Sequence, residues 1–357
     1  MSHAAKNCLS ILLGDRCNLS CRYCYARGNS VQATEPMNEA FIRCGIKDYL
    51  AEFEVPYLRF FSDGEPTLFL DNILRVLAIA KEEASGWQVE LQTNGYFSEA
   101  TAATLVEEGV TIIWISCDGT PDVQDYYRPA LGKPSSDVVE ASIRWLAGRV
   151  PVLGVRSTVG RKNLHRQNEM VDYFHELGVR YLCSDLMFAN TSAGKYFEKP
   201  VSPLEYAEEF WKARQYAAEK GVWYGSIFMV NFDEATPFFC RSSVPLAHLT
   251  VDGYVSCCDM VSHGRVDSPL LYGRFDPVSG TILYDQEKIA TIRSRRLENL
   301  PECADCPAAE HCGGGCMGEA LNEKGSIFAI KTEVCEAVRY LAEQMKPPCP
   351  PFPVFHP

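Results

Sequence analysis

The sequence predicts an α/β fold followed by a small cysteine-rich α+β segment, on three observations. Short apolar runs alternate with longer amphipathic ones through the first half. The loops after those runs carry cysteines or small polar and acidic residues. Glycine, proline and cysteine then break the alternation in the last third. Residues 9–13, 57–61, 88–92, 112–116, 152–159 and 181–184 are short and apolar enough to be strands. Residues 39–53, 70–84, 98–108, 136–147 and 164–177 repeat their apolar positions at three and four, the period of a helix with one buried face. Strand then helix, five times over, implies parallel strands joined by right-handed crossovers, as an open α/β sheet or a partial barrel. In either, ligands sit beyond the carboxyl ends of the strands.

Prolines at 200 and 203 mark a break. Residues 204–220 then form a helix capped by Ser202 and stopped by Gly221. From about Ser226 the texture changes, with a hairpin expected from residues 246–251 and 254–258 about an Asp252-Gly253 turn. A last helix spans 332–344, and the proline-rich residues 347–353, which contain Cys349, are extended. The expected division is residues 1–200, a connecting helix and linker over 201–231, and a cysteine-rich part over 232–357.

A chain of 357 residues can bury a sizeable core. Its net charge of −12 argues against a general nucleic-acid or anionic-membrane partner. No run of eighteen apolar residues and no signal-peptide core are present, so a soluble, cytoplasmic protein is expected. Sixteen cysteines in a reducing compartment point to metal sites rather than disulfides.

The strongest chemical signal is Cys17, Cys21 and Cys24, at CxxxCxxC spacing directly after the first strand. Thiolates are soft ligands that suit an iron–sulfur cluster or zinc, and three of them leave one coordination position open for chemistry. Further polar loops end the next strands: Ser62-Asp63-Gly64-Glu65-Pro66, Thr93-Asn94-Gly95 and Ser116-Cys117-Asp118-Gly119. Gly64 allows close backbone approach, and Glu65 is an anionic acceptor suited to an ammonium group. The four loops share one rim.

This constellation resembles the radical S-adenosylmethionine enzymes over residues 9 to about 184. The resemblance implies a partial (β/α)6 TIM-like barrel and a [4Fe-4S] cluster on Cys17, Cys21 and Cys24 whose open iron is chelated by S-adenosylmethionine. It implies reductive cleavage of that cofactor to a 5′-deoxyadenosyl radical that abstracts hydrogen from substrate. Tyr23 matches the position lining the adenine, Gly64 and Glu65 the loop receiving the methionine amine, and Asn94, Ser116 and Asp118 the rim contacting the cofactor. The first glycine usual in the amine-binding loop is Asp63 here.

The second part narrows the likeness. Twelve residues separate Cys240 from Gly253 and four more lead to Cys258; Cys303, Cys306, Cys312, Cys316 and Cys335 follow with gaps of two, five, three and eighteen. The pattern resembles the SPASM extension, which holds two auxiliary [4Fe-4S] clusters. By that likeness Cys303, Cys306, Cys312 and Cys335 bind the outer cluster and Cys240, Cys258 and Cys316 the inner one. The adjacent Cys257 is a weaker fourth inner ligand, because two neighbouring residues fit one cubane poorly. Structural zinc is the alternative, since Cys303 and Cys306 alone make a common zinc fragment. Asp259 matches a carboxylate proposed as the substrate base in anaerobic sulfatase-maturing enzymes; a hairpin-end aspartate bonded to local backbone is the other reading. Cys8, Cys44, Cys117 and Cys183 read as small buried hydrophobes, and His165, His175, His248, His263 and His311 show no metal spacing.

The expectation is therefore an oxidoreductase-type maturase with three [4Fe-4S] clusters and S-adenosylmethionine, acting on a peptide or protein residue by oxidation, thioether formation or a carbon–carbon crosslink. Expected partners are the peptide or protein and an electron donor such as flavodoxin or ferredoxin; since the chain begins almost at its first strand, the target is expected either to bind directly or to be brought by a separate leader-recognition protein. A dehydrogenase or epimerase acting on a small molecule such as an aminosugar, and a non-catalytic iron–sulfur or zinc protein, are the alternatives.

Overall fold

The computed structural model describes residues 7–24, 26, 36–187, 198–245, 247–265 and 267–345. The expected proline-rich tail with Cys349, and Leu246 at the start of the expected hairpin, lie outside them. Six strand–helix steps and a seventh strand open the chain: β1 (Leu9–Leu12), α1 (Glu39–Glu52), β2 (Tyr57–Phe61), α2 (Leu70–Glu83), β3 (Gln88–Thr93), α3 (Glu99–Glu107), β4 (Ile112–Ser116), α4 (Pro121–Tyr127) with α5 (Ser136–Leu146), β5 (Val152–Val159), α6 (Gln167–Glu176), β6 (Tyr181–Leu186), α7 (Pro203–Glu219) and β7 (Trp223–Gly225). The expected strands are all present. The helix expected from 164 begins as a single 3-10 turn over Leu164–Arg166.

Local chemistry sets the helix starts. Asn38, Ser98 and Ser202 each accept a main-chain N–H of the first turn, at Phe41, Thr101 and Glu205, satisfying donors that the helix cannot. Pro203 and Pro121 stand at first-turn positions, where a missing N–H costs nothing.

The remainder of the chain joins the same sheet. β8 (His248–Thr250) and β9 (Tyr254–Ser256) form the expected hairpin, shorter at both ends, and Gly253 at its turn has φ +86°, which favours glycine. β10 (Leu271–Asp276) and β11 (Thr281–Tyr284) form a second hairpin with no counterpart in the sequence reading. The order is β11-β10-β9-β8-β1-β2-β3-β4-β5-β6-β7, with β8 parallel to β1 through Ser10 opposite His248 and Leu12 opposite Thr250. The two parts expected from the sequence thus share one eleven-stranded sheet. Short helices α8 (Gln286–Arg293), α9 (Ala309–Cys312) and α10 (Met317–Lys324) lead to α11 (Cys335–Met345), which packs on α7.

Strands β1 to β6 form a partial barrel, and their two faces differ sharply. Leu9, Ile11, Leu58, Phe60, Leu91, Ile113, Ile115, Val155 and Leu182 are buried in the large core with the helices. The alternate residues Cys8, Tyr57, Ile112, Trp114 and Cys183 form a second, smaller core within the barrel. Ser10, Arg59 and Glu90 lie on that inner face and are buried polar groups. The inner core is tightly fitted: a Cβ on Gly154, which pairs with Trp114 across β4 and β5, would overlap the indole. Gly154→Val is expected to destabilise the fold by about 1–3 kcal/mol through overpacking, read as a lower urea midpoint, and Trp114→Leu in the same chain is expected to recover part of that loss.

Candidate functional site

A cavity of about 360 Å³ opens at the carboxyl ends of the barrel strands. Its lining includes both Cys17, Cys21 and Cys24 and Cys240, Cys258 and Cys316, together with Asp259. Tyr23, Gly64, Glu65, Asn94 and Ser116 line it too. Asp118 does not belong to that lining.

The cysteine loop after β1 is pinned from two sides. Ser20 and Arg22 donate their amides to the carbonyls of Pro129 (2.7 Å) and Tyr127 (2.9 Å). Asn18 donates to the Tyr96 carbonyl (2.8 Å) and accepts from Asn94 Nδ2 (2.8 Å), which also lies 3.7 Å from Cys17 Sγ. Tyr23 ties a third element: its hydroxyl donates to Asp118 (2.6 Å) and accepts from Arg128 Nη1 (2.5 Å). Asp118 is fully buried and takes the Thr158 amide as well (2.9 Å), so it orients Tyr23 from behind. Burial pushes Cys21 up to about 11, with the Arg128 guanidinium pulling the other way.

Glu65 organises the neighbouring rim. Its carboxylate accepts the Thr67 amide (3.0 Å) and hydroxyl (2.8 Å), the Thr93 hydroxyl (2.6 Å) and the Asn94 amide (2.6 Å). Burial raises its pKa, and those four bonds oppose the rise. Gly64 is a position that admits no side chain, because a Cβ would overlap the Arg16 carbonyl. Asp63 has no left-handed backbone, so glycine is not required there. Its side chain instead accepts the Ser262 hydroxyl, bridging β2 to the segment after β9.

Asp259 faces Arg59. The guanidinium of Arg59, itself 1% exposed, grips both carboxylate oxygens, with Nη1 at 3.0 Å from Oδ2, and His248 Nδ1 stands 3.2 Å from Oδ1. Burial would raise the Asp259 pKa, but the Arg59 guanidinium outweighs it and holds the carboxyl well below its usual range. Burial lowers His248 to about 3, leaving the imidazole neutral. A second pair, Arg156 with Asp185 at 3.2 Å, lines the same cavity. Sequence reasoning missed Arg59, Arg128, Arg156 and His248. The signal for Arg59 and Arg156 was a charge inside an otherwise apolar strand; for Arg128 there was none.

The outer four thiols lie apart from the cavity. Cys303 feels the charges of Cys306 and Cys335, and Cys312 those of Cys303 and Cys335, so the four form one electrostatic group. Burial pushes the Cys312 and Cys316 thiols up to about 12, and the Leu19 main-chain amide donates to Cys17 Sγ (3.4 Å). Such bonds favour thiolate over thiol and tune iron–sulfur centres. Among the described residues no three His, Cys, Asp or Glu side chains are gathered as tightly as one metal ion requires. Sulfurs around a single zinc stand about 3.8 Å apart, and a four-iron cube spaces its ligands wider. Cys257 is fully buried in the core and absent from the cavity lining, whereas Cys258 lines it. Cys8, Cys117 and Cys183 are buried as expected, while Cys44 is partly exposed and donates to the Gly280 carbonyl (3.0 Å).

Burial lifts Asp63 from 3.8 to about 6. The folded chain therefore keeps a proton that the unfolded chain gives up near 3.8, so stability falls as pH rises between those values and levels off above. Asp63→Asn is expected to remove a slope of at most about 1.4 kcal/mol per pH unit, reduced by the partial exposure of the site. Urea midpoints across pH 4 to 7 measure this, and identical slopes in both chains would clear Asp63.

Residues 11–174 match the Radical SAM superfamily. The chain is 24% identical over 341 residues to the serine-type anaerobic sulfatase-maturating enzyme of Klebsiella aerogenes, covering 88% of this chain and 80% of that one. Two solved structures share the fold. Native anSMEcpe with bound AdoMet and Cp18Cys peptide superposes with a TM-score of 0.73 at 19% identity, covering 94% of this chain and 95% of that one. Streptococcus suis SuiB bound to precursor peptide SuiA gives 0.67 at 15%, covering 92% and 75%. No helix among the described residues is long and apolar enough to cross a membrane. The chain carries a radical SAM domain and, over most of its length, is related to the anaerobic sulfatase-maturating enzymes.

Proposed function

We propose that this protein is a radical S-adenosylmethionine maturase that modifies a residue of a peptide or protein, with three [4Fe-4S] clusters. The observation that carries the reading is one cavity lined by two sets of three cysteines and by an aspartate. Bound at the N-terminal thiolates, a cluster with S-adenosylmethionine supplies a 5′-deoxyadenosyl radical able to take hydrogen from a substrate carbon. Cys17, Cys21 and Cys24 would hold that cluster. Gly64 and the Glu65-ordered rim, with Asn94 and Ser116, would hold the cofactor, and Tyr23, fixed by Asp118, would line its adenine. Cys240, Cys258 and Cys316 would hold an inner auxiliary cluster and Cys303, Cys306, Cys312 and Cys335 an outer one. Electrons would come from a small protein donor such as flavodoxin or ferredoxin, and a separate leader-recognition protein would present the substrate. The peptide-bound relatives support a peptide substrate.

Asp259 would take a proton from substrate, a role supported by the 32% of its side chain that is open in the cavity wall. Its grip by Arg59 favours a second role, as the anion that anchors Arg59 and His248. The two roles separate by experiment. As base, Asp259→Asn is expected to retain cofactor cleavage and lower product about 100-fold or more. As anchor, the same substitution is expected to cost about 3–5 kcal/mol of stability in urea unfolding and leave product per folded chain unchanged.

Anaerobic reconstitution tests the whole reading. Iron near ~12 per chain and reductant-dependent 5′-deoxyadenosine are expected, with cleavage abolished in Cys24→Ala. Zinc in place of iron, or no cleavage under strong reductant, would overturn it.

A further inference from the structure

Arg295 follows the end of α8 and is completely buried. Its guanidinium donates to three main-chain carbonyls: Nε to Ile327 (2.8 Å), Nη1 to Gly313 (3.0 Å) and Nη2 to Gly314 (2.8 Å). Two of these belong to the run Gly313-Gly314-Gly315, whose φ values of 59°, 80° and 74° lie in the left-handed region. The run has no room for side chains at its first two positions. A Cβ on Gly313 would overlap the Phe238 backbone, and one on Gly314 would overlap Leu300 and stand 2.9 Å from Arg295 Nη1.

This loop joins Cys312 to Cys316, which the proposed function assigns to different clusters. Its two faces do different things. The carbonyls of Gly313 and Gly314 turn to Arg295, while the Gly315 amide turns back to the Cys312 carbonyl (3.3 Å).

Burying a guanidinium costs several kcal/mol unless its charge is compensated. Carbonyls satisfy its N–H groups without cancelling the charge. The charges acting most strongly on Arg295 are those of Cys240, Cys316, Cys312 and Cys303, two from each auxiliary set, and no carboxylate ranks among them.

We propose that Arg295 is a positioning residue shared by both auxiliary sites: its fork fixes the loop carrying one ligand of each, and its buried positive charge compensates the thiolates of both. The inference rests on the two-auxiliary-cluster reading above. A fixed cation stabilises the reduced, more negative state of a nearby centre, so it raises both reduction potentials.

The test compares Arg295→Lys and Arg295→Met in the full, anaerobically reconstituted chain. Iron content and reduction midpoints are read by EPR-monitored titration, and a chain lacking Cys17, Cys21 and Cys24 identifies the auxiliary signals. Arg295→Met is expected to shift both auxiliary couples to lower potential, or to lose iron from both sets. Arg295→Lys, which keeps the charge but not the fork, is expected to load less iron than wild type and to titrate close to it where loaded. Unmoved couples with full iron in Arg295→Met, a shift confined to one couple, couples in Arg295→Lys shifted as far as those of Arg295→Met, or full wild-type loading of Arg295→Lys would each overturn the proposal. Wild-type chain loading only the N-terminal set would instead overturn the two-cluster reading, and the inference with it.

Discussion

The parallel pairing of β8 with β1 is the constraint on which the arrangement of the site depends. β1 delivers the CxxxCxxC loop, and β8 begins the hairpin that delivers Cys258 and Asp259. Because the pairing sets Ser10 against His248 and Leu12 against Thr250, the register that buries Leu9 and Ile11 also fixes where the second cysteine set arrives. A slip by one residue would turn every alternate side chain of β8 to the opposite face, carrying His248 out of the cavity and Leu249 out of the core. The cavity is thus a product of strand register rather than of loose docking between two bodies.

Register brings charges inside, and pairing makes them tolerable. Arg59 lies opposite Ser10 on one side and Glu90 on the other, in strands otherwise apolar. Its Nε donates to the Ser10 hydroxyl at 2.9 Å and its fork holds Asp259, while Tyr57 and Gln92 satisfy Glu90 at 2.7 and 2.8 Å. An isolated buried ion would cost several kcal/mol, far more than the fractions of a kcal/mol an exposed pair returns. Two hundred residues separate Arg59 from Asp259, so the bridge fixes the C-terminal segment to the barrel while placing a carboxylate at the cavity wall.

The barrel was legible because its signals are local. Period two and period three-to-four are written within each segment, and caps such as Ser202 mark helix starts on their own. The ligand thiols were legible because their spacing is short. What the sequence hid is set by partners far along the chain. The hairpin of β10 and β11 is only half-buried, so its apolar alternation is faint, and its place at the sheet edge follows from β9. Asp118 and Glu65 look alike as acidic residues on rim loops. Only the fold shows that one carboxylate is spent on Tyr23 and Thr158, while the other lines the cavity and orders the turn at Thr93 and Asn94.

Two arginines that act on the thiols, Arg128 and Arg295, differ in a way that bears on electron flow under the proposed function. Arg128 acts on Cys21, but its charge is met by Asp118 through the Tyr23 hydroxyl between them. Arg295 donates to main-chain carbonyls, and no carboxylate is among the charges that act on it most strongly. A compensated cation biases a nearby centre less than an uncompensated one, because the anion's field cancels most of it beyond a few ångströms. Under the proposed function the N-terminal site would be left free to reach the low potential that sulfonium cleavage demands, and the auxiliary sites would be biased toward accepting an electron. The chain would then separate donor from acceptor by which guanidinium is given a carboxylate.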